Sequence, residues 1–147
     1  MKLSTKGRYG TRALLELAFH YGDEPMVLKD IACNQQISLS YLEQIVSPLK
    51  AGGLIRSTKG PKGGISLLKH PADIRLSEIL DLLEGSVAPT ECINDPAICE
   101  RAGFCVTRDV WGELKDAIDG VLDSITLQDL VERHKVKTEV KEEMYYI

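Results

Sequence analysis

The sequence predicts a mainly α fold with one small β-hairpin, and three observations lead to that prediction. Apolar residues recur at three- and four-residue spacing in several segments of the 147-residue chain, which is the period of helices packed on a core. Two short segments with the character of strands, residues 54–57 and 65–68, flank the turn sequence TKGPKGG, as in a hairpin. Aromatic residues make up only 5% of the chain, so aliphatic side chains have to fill the core.

The first two helices are predicted over residues 6–21 and about 28–35. Ala13 and Leu17 belong to the apolar stripe of the first helix, which the sequence YGDEP ends. Cys33 follows the apolar Ala32 in the second helix, and we expect it to be a buried structural cysteine.

The third helix is predicted to begin at a capping box and to end at the glycine pair 52–53. Ser40 and Glu43 have the spacing of such a box. Pro48 lies late in the helix and has no amide hydrogen to donate, so we expect a distorted last turn.

The second half of the chain is predicted to contain three helices and a loop. The expected order is a helix over about residues 77–83, a loop over 85–106, a long helix over 107–124 and a short helix near 126–133. Residues 134–147 are predicted to form a polar tail.

Two helices, a capped third helix and a hairpin follow one another in the order of a winged helix-turn-helix, with the hairpin as the wing. Residues 1–72 carry ten Lys and Arg against five Asp and Glu, which favours a polyanionic partner for this half. The alternative is the same fold used for protein contacts. Two sets of side chains are predicted to reach duplex DNA: Ser40, Tyr41, Glu43, Gln44 and Ser47 on the third helix, and Lys59, Pro61 and Lys62 on the wing.

The long helix carries an apolar seam with the spacing of a coiled coil. Two heptads are too short to pair alone, so the seam predicts part of a larger homodimer interface. A dimer would address the two half-sites of a palindromic operator, whereas the alternative buries the seam within one chain. The seam consists of Trp111, Leu114, Ile118, Val121 and Ile125.

Three cysteines, Cys92, Cys99 and Cys105, fall within the predicted loop over 85–106. Their spacing matches neither the CxxC pairs of a zinc ribbon nor a thioredoxin motif. Wide spacing on a loop favours a metal or iron–sulfur site in which several thiolates surround one large cluster. A thiol redox switch and chance proximity are the alternatives.

Several function classes find no support in the sequence. The chain contains no run of eighteen apolar residues and no secretory leader pattern, so we expect a cytoplasmic protein without a membrane partner. His20, His70 and His134 are scattered, and neither a nucleophile motif nor a phosphate-binding loop is present. We therefore expect no enzyme activity.

Three stretches, MKLSTKGRYGTRALLELA, ISLSYLEQIVSPLKAGGLI and KGPKGG, resemble the IscR/CymR-type family of bacterial winged-helix transcription regulators. The resemblance implies a homodimer and an iron–sulfur cluster, of the 2Fe-2S type, that controls DNA affinity or site selectivity. The implied cluster ligands are Cys92, Cys99 and Cys105 with a fourth ligand other than cysteine. The residues implied to lie at or near DNA are Ser38, Ser40, Tyr41, Glu43, Gln44, Lys59 and Pro61.

The fourth cluster ligand is left open by this sequence. Cluster-binding members of the family have a histidine three residues after the last cysteine, and here that residue is Arg108, whose guanidinium stays protonated. Asp109, Glu91, Asp95, a histidine from elsewhere and a small molecule are the candidates.

The segments VLDSITLQDLVER and EEMYYI resemble the cysteine-metabolism repressors of the same family, which lack the cluster cysteines and act in complex with cysteine synthase. This likeness implies an alternative function, a repressor controlled by cysteine synthase through a C-terminal tail of Tyr145, Tyr146 and Ile147. The Ile147 carboxylate would enter the synthase active site, unless the tail packs on its own dimer. The predicted domains are 1–84 for DNA binding, 85–106 for the cluster, 107–133 for dimerisation and 134–147 for the tail.

Overall fold

The computed structural model of the chain describes residues 2–146, within which it has seven α-helices and one two-stranded antiparallel sheet. The mainly α fold with a small β-hairpin is therefore confirmed. The elements are α1 (Thr5–Phe19), α2 (Leu28–Gln35), α3 (Leu39–Ala51), β1 (Ile55–Thr58), β2 (Gly64–Leu67), α4 (Leu76–Glu84), α5 (Glu91–Asn94), α6 (Val106–Ser124) and α7 (Leu127–Tyr145).

Helix α1 lies at the centre of the core and is fixed at its first turn. The Ser4 side chain accepts a hydrogen bond from the Gly7 amide at 3.1 Å, which caps the helix. The Ser4 amide donates to Glu84 Oε1 at 2.7 Å, so the start of α1 is joined to the end of α4. Leu14, with 1% of its surface exposed, packs in the aliphatic core that α1 shares with the other helices.

The turn between α2 and α3 decides where the third helix begins. Gln36 adopts the left-handed conformation, with φ of 55°, and the Ile37 amide donates to Ala32 O at 2.9 Å. Ser38 then caps α3 by accepting from the Tyr41 amide at 3.3 Å. The predicted capping box at Ser40 and Glu43 is wrong, because the left-handed residue turns the chain two residues earlier than the pattern suggested.

Helix α3 continues through Pro48 to Ala51. We expected a distorted last turn there, but the helix is unbroken, and the Gly52 amide still donates to the Pro48 carbonyl at 2.9 Å. The cost of the proline is therefore confined to the hydrogen bond that it cannot donate to the Gln44 carbonyl.

The wing is joined to the loop between α1 and α2. Strands β1 and β2 pair in register from Ile55 with Leu67 to Thr58 with Gly64. The Met26 amide donates to Ile65 O at 2.9 Å, and the Ile65 amide donates to Met26 O at 2.8 Å. These two bonds hold the wing at a fixed position beside the helices.

Replacing Gly64 with Ala is expected to destabilise the wing. A Cβ at Gly64 would overlap the carbonyl oxygen of Met26, which is backbone and cannot move aside without breaking the bridge to Ile65. Overpacking of this kind costs about 1–3 kcal/mol of the free energy of unfolding. Chemical denaturation measures the loss, and Gly103→Ala is the control because a Cβ there meets nothing within 4 Å. An equal stability of the two variants would contradict the packing described.

The C-terminal helices depart most from the sequence predictions. A capping box between Thr126 and Asp129 begins α7, and Leu127 and Val131 are buried in the main core. The helix was expected to end near Arg133 but continues to Tyr145, so the predicted polar tail is a helix over most of its length. Ile147 lies outside the described residues. Within residues 2–146, no helix combines the length and the apolar character that crossing a membrane requires.

Candidate nucleic-acid interface and cysteine loop

Helix α3 presents the predicted polar face to solvent. Leu42 and Ile45 are completely buried on its other side, which fixes the rotation of the helix. Tyr41 is half-buried, and the remaining side chains predicted to reach DNA from this helix are exposed, namely Ser38, Ser40, Glu43, Gln44 and Ser47. The predicted outward direction of these side chains is thus confirmed, whereas their contact with DNA remains a prediction.

A cationic and aromatic cluster on α1 lies beside this face. The rings of Tyr9 and Tyr41 meet edge to face with centroids 6.2 Å apart. The guanidinium carbons of Arg12 and Arg8 lie 5.1 Å and 5.9 Å from the centroid of the Tyr9 ring. Two positive charges are therefore held next to the first turn of α3, where phosphates of a duplex in contact with that helix would pass.

A buried carboxylate on α1 organises this cluster. Glu16 is only 8% exposed, and its two oxygens accept from Asn34 Nδ2 and Gln35 Nε2, each at 2.7 Å. Gln35 in turn accepts from Arg12 Nε at 3.1 Å through its side-chain oxygen. The network joins α1 to α2 and fixes Arg12. In the sequence, the adjacent amides of Asn34 and Gln35 are the feature that could have indicated it.

The tip of the wing carries the predicted Lys59 and Pro61, both exposed. Gly60 has φ of +106° and its carbonyl accepts from the Gly63 amide at 2.9 Å, which closes the tip into a tight turn. Lys62 lies 3.6 Å from Glu24, but both side chains are largely exposed and the pair contributes little stability. The wing thus offers two lysines to a nearby phosphate backbone.

The cysteine loop, residues 85–105, connects α4 to α6 and contains more structure than expected. Cys92 lies in the short helix α5, Cys99 follows a 3-10 turn over Pro96–Ile98, and Cys105 is the residue preceding α6. The three side chains are partly buried, and all four cysteines of the chain are free thiols. The predicted ligands thus belong to three separate short elements.

Local hydrogen bonds reach two of these thiols, and one of them acts on the pKa of Cys105. A hydrogen bond with the Thr107 hydroxyl, whose oxygen lies 3.1 Å from the sulfur, lowers the pKa of the Cys105 thiol, and the backbone amide of Arg108 acts in the same direction. Cys92 Sγ lies 3.2 Å from the Thr90 hydroxyl. Hydroxyl groups therefore adjoin two of the three sulfurs.

The three thiols of the loop have the chemistry of iron–sulfur cluster ligands, but their sulfur atoms do not lie together in one site. Three thiols on one loop are the ligands that such clusters take. Among the described residues, however, no group of three or more Cys, His, Asp or Glu side chains lies close enough to hold a metal ion. Ligation would therefore require the loop to close around the cluster.

Arg108, three residues after Cys105, makes a hydrogen bond to the backbone of the cysteine loop. Its Nε donates to the carbonyl oxygen of Cys92 at 3.1 Å, which joins the first turn of α6 to α5. Asp95 caps the 3-10 turn by accepting from the Ala97 amide at 3.1 Å. The described structure identifies no fourth ligand among the candidates.

The fourth cysteine, Cys33 on α2, is exposed, so its predicted role as a buried cysteine is wrong.

The predicted seam on α6 is divided between the interior and solvent. Ile118 and Leu122 line a cavity of about 340 Å³ against α4. Trp111 and Val121 are 37% and 57% exposed. Ile125 lies just after α6, and its carbonyl accepts from the Leu76 amide at 2.9 Å. The exposed apolar face of α6 is therefore rotated from the predicted seam and consists of Val106, Val110, Trp111 and Val121.

Comparison with known proteins identifies the family. The sequence model of the Rrf2 family, whose members are described as iron-dependent transcriptional regulators, matches residues 3–133 of this chain. The chain belongs to the Rrf2 family. The protein Rrf2 of Nitratidesulfovibrio vulgaris is 42% identical over 131 residues, which cover 89% of this chain and 87% of that protein. The regulator IscR of Photorhabdus laumondii is 40% identical over 92% of this chain and 82% of its own length.

A solved structure of an Rrf2 relative has the same fold. CymR, the global cysteine regulator of Bacillus subtilis, has a solved structure that matches with a TM-score of 0.77 at 42% sequence identity. The match covers 90% of this chain and 98% of that chain. The resemblance noted in the sequence and the winged helix-turn-helix fold are thus confirmed. The relatives CymR and IscR are named as transcription regulators, as is the family, so this member of the Rrf2 family is a transcription regulator and not an enzyme.

Proposed function

We propose that the protein is a homodimeric regulator that reads a palindromic operator with α3 and the wing, and whose DNA affinity or site selectivity is set by an iron–sulfur cluster at the cysteine loop. The observation that supports it best is the position of the loop. It begins at α4, whose last residue binds the start of α1, and it ends at α6, whose apolar face is exposed. A change in the loop therefore acts on the reading helices and the dimer face together.

The reading step rests on contacts that are already fixed in the protein. The polar face of α3 enters the major groove, where the amide of Gln44 pairs with base edges and the carboxylate of Glu43 accepts from a cytosine amino group. Arg8, Arg12 and Lys59 contact the phosphates on either side. Because Glu16 and Gln35 hold Arg12 in advance, little side-chain entropy is lost when it binds.

The control step rests on the links between the loop and α6. Cys92, Cys99 and Cys105 would hold a 2Fe-2S cluster, which supplies a reversible and redox-sensitive cross-link between the elements that carry them. The bond from Arg108 to the Cys92 carbonyl ties α5 to the first turn of α6. Closing or opening the loop would therefore shift α6, and with it the spacing of the two reading heads in the dimer.

Gln44→Ala is expected to relax sequence preference more than it lowers non-specific affinity. A side-chain amide that reads a base pair is worth about 1–3 kcal/mol of discrimination. Lys59→Ala should instead weaken binding to all sequences alike and reduce the slope of log affinity against log salt by about 1. Fluorescence anisotropy with operator and scrambled duplexes measures both effects.

A control for these variants is Lys115→Ala, because Lys115 bonds to Asp119 within α6 and lies outside the proposed interface. It should leave the salt slope unchanged. An affinity of the wild-type protein that does not respond to salt would contradict the proposed DNA reading.

A second candidate is a repressor controlled by cysteine synthase, and the end of α7 supports considering it. Tyr145 and Tyr146 are 80% and 92% exposed, so they are available to a partner. The relative CymR is a global cysteine regulator. Deleting residues 145–147 should then abolish co-purification with cysteine synthase while leaving operator binding by the isolated dimer intact. Unchanged co-purification would rule out insertion of the tail.

A further inference from the structure

Helix α7 extends well beyond the residues that pack in the core. The family match ends at residue 133, and every residue from 132 to 146 is exposed. Leu127 and Val131 face the core, and the only described aromatic contact of the later turns joins His134 to Phe19, with ring centroids 4.6 Å apart. The capped first turn explains how the helix can propagate, but the exposed turns after residue 132 have little packing within the single chain.

The exposed turns carry a second apolar stripe on the side of the helix opposite the core. Val136, Val140 and Met144 are spaced by four residues and are 59%, 50% and 73% exposed. At 3.6 residues per turn they lie about half a turn away from Leu127 and Val131. The stripe therefore points away from the domain to which the start of α7 is attached.

The charges beside the stripe are arranged in two opposite flanks. One flank is basic and consists of Arg133, Lys137 and Lys141, and the other is acidic and consists of Glu132, Glu139 and Glu143. A parallel pair of such helices places the basic flank of each against the acidic flank of the other. An antiparallel pair would place like charges together. The stripe is therefore complementary to itself in one orientation.

We propose that the outer half of α7 is a self-association surface, and that its occupant is the same stripe of a second copy of this chain in parallel orientation. This surface is separate from the exposed face of α6. Because the stripe is too short to pair alone, it adds to the dimer proposed above, on which this inference therefore rests. The self-association surface consists of Val136, Val140 and Met144. The alternative function with cysteine synthase uses different residues, 145–147.

Substitutions in the stripe of the full-length chain test this proposal by sedimentation equilibrium. Val140→Asp is expected to weaken self-association at least tenfold. The control Lys135→Asp, on an exposed position outside the stripe, should leave it unchanged. Val140→Ala should also weaken association, although Ala is the better helix former, so a loss with Ala reports packing of the stripe and not helix stability.

The charge flanks provide a rescue experiment. Lys137→Glu should weaken association, and adding Glu132→Lys should restore it, because a parallel pair brings these two positions together across the interface. In the single chain Glu132 lies 3.6 Å from Lys135, but that pair is exposed and its loss has little effect on stability. The proposal would be overturned if the wild type and Val140→Asp associated equally, or if the double variant did not restore association. Binding of another protein to the stripe would not rescue it.

Discussion

Replacing any one of Cys92, Cys99 and Cys105 with Ala is expected to abolish the visible absorbance of protein purified without oxygen, together with its iron and sulfide. The reason is that the loop has only these three thiols, and thiolates are the ligands that iron–sulfur clusters take, so each loss leaves two. The measurement is the absorbance spectrum with iron and acid-labile sulfide analysis of each variant.

Cys33→Ala is the matched control for that series. Cys33 is an exposed free thiol on α2, outside the cysteine loop, and its loss should leave the spectrum unchanged. A spectrum that survives the loss of a loop cysteine, or that is lost with Cys33, would contradict the assignment of ligands.

Val121→Asp is expected to convert the dimer to a monomer and to weaken operator binding by about a hundredfold, because linking two reading heads raises affinity by factors of this size. Val121 is 57% exposed on the apolar face of α6, and a carboxylate there would be desolvated in a dimer but would remain in water in the monomer. Light scattering coupled to size exclusion and anisotropy with the operator measure the two effects.

Asp116→Ala is the control, since Asp116 is exposed on α6 but lies away from the apolar face. The fold should be intact in both variants, because Val121 contributes no buried side chain to the core. A dimeric Val121→Asp variant with wild-type affinity would place the interface elsewhere.

The reading face could be predicted because one physical pattern determines it. The burial of Leu42 and Ile45 sets the rotation of α3, and the polar side chains between them then have to face solvent. The precise start of α3 could not be predicted, because it depends on the left-handed conformation of Gln36, a residue with no strong preference for it.

Other features depended on contacts between elements that are distant in sequence. Glu16 is buried only because amides of α2 meet both of its oxygens, and a single-helix pattern does not contain that information. Cys33 is exposed because one residue advances a helix by about 100°, which carries it out of the face that holds Ile31 and Ala32.

The length of α7 was underestimated for a different reason. The polar character of residues 134–147 predicted a tail. The segment is rich in Lys and Glu, which are good helix formers, and it continues from a capped first turn packed in the core. Propagation of an existing helix does not require the nucleation that a separate helix would need.

The central claim is that the cysteine loop controls DNA binding, and one titration tests it most directly. Anaerobically purified protein, made with sufficient iron and assembly machinery, is treated with increasing amounts of oxidant or chelator. Operator affinity and visible absorbance are then followed in the same samples. We expect the affinity for at least one operator to change tenfold or more in parallel with the absorbance, and the Cys105→Ala variant to show neither change. A colourless preparation without iron and sulfide, or an affinity that stays constant as the absorbance disappears, would contradict the proposed control.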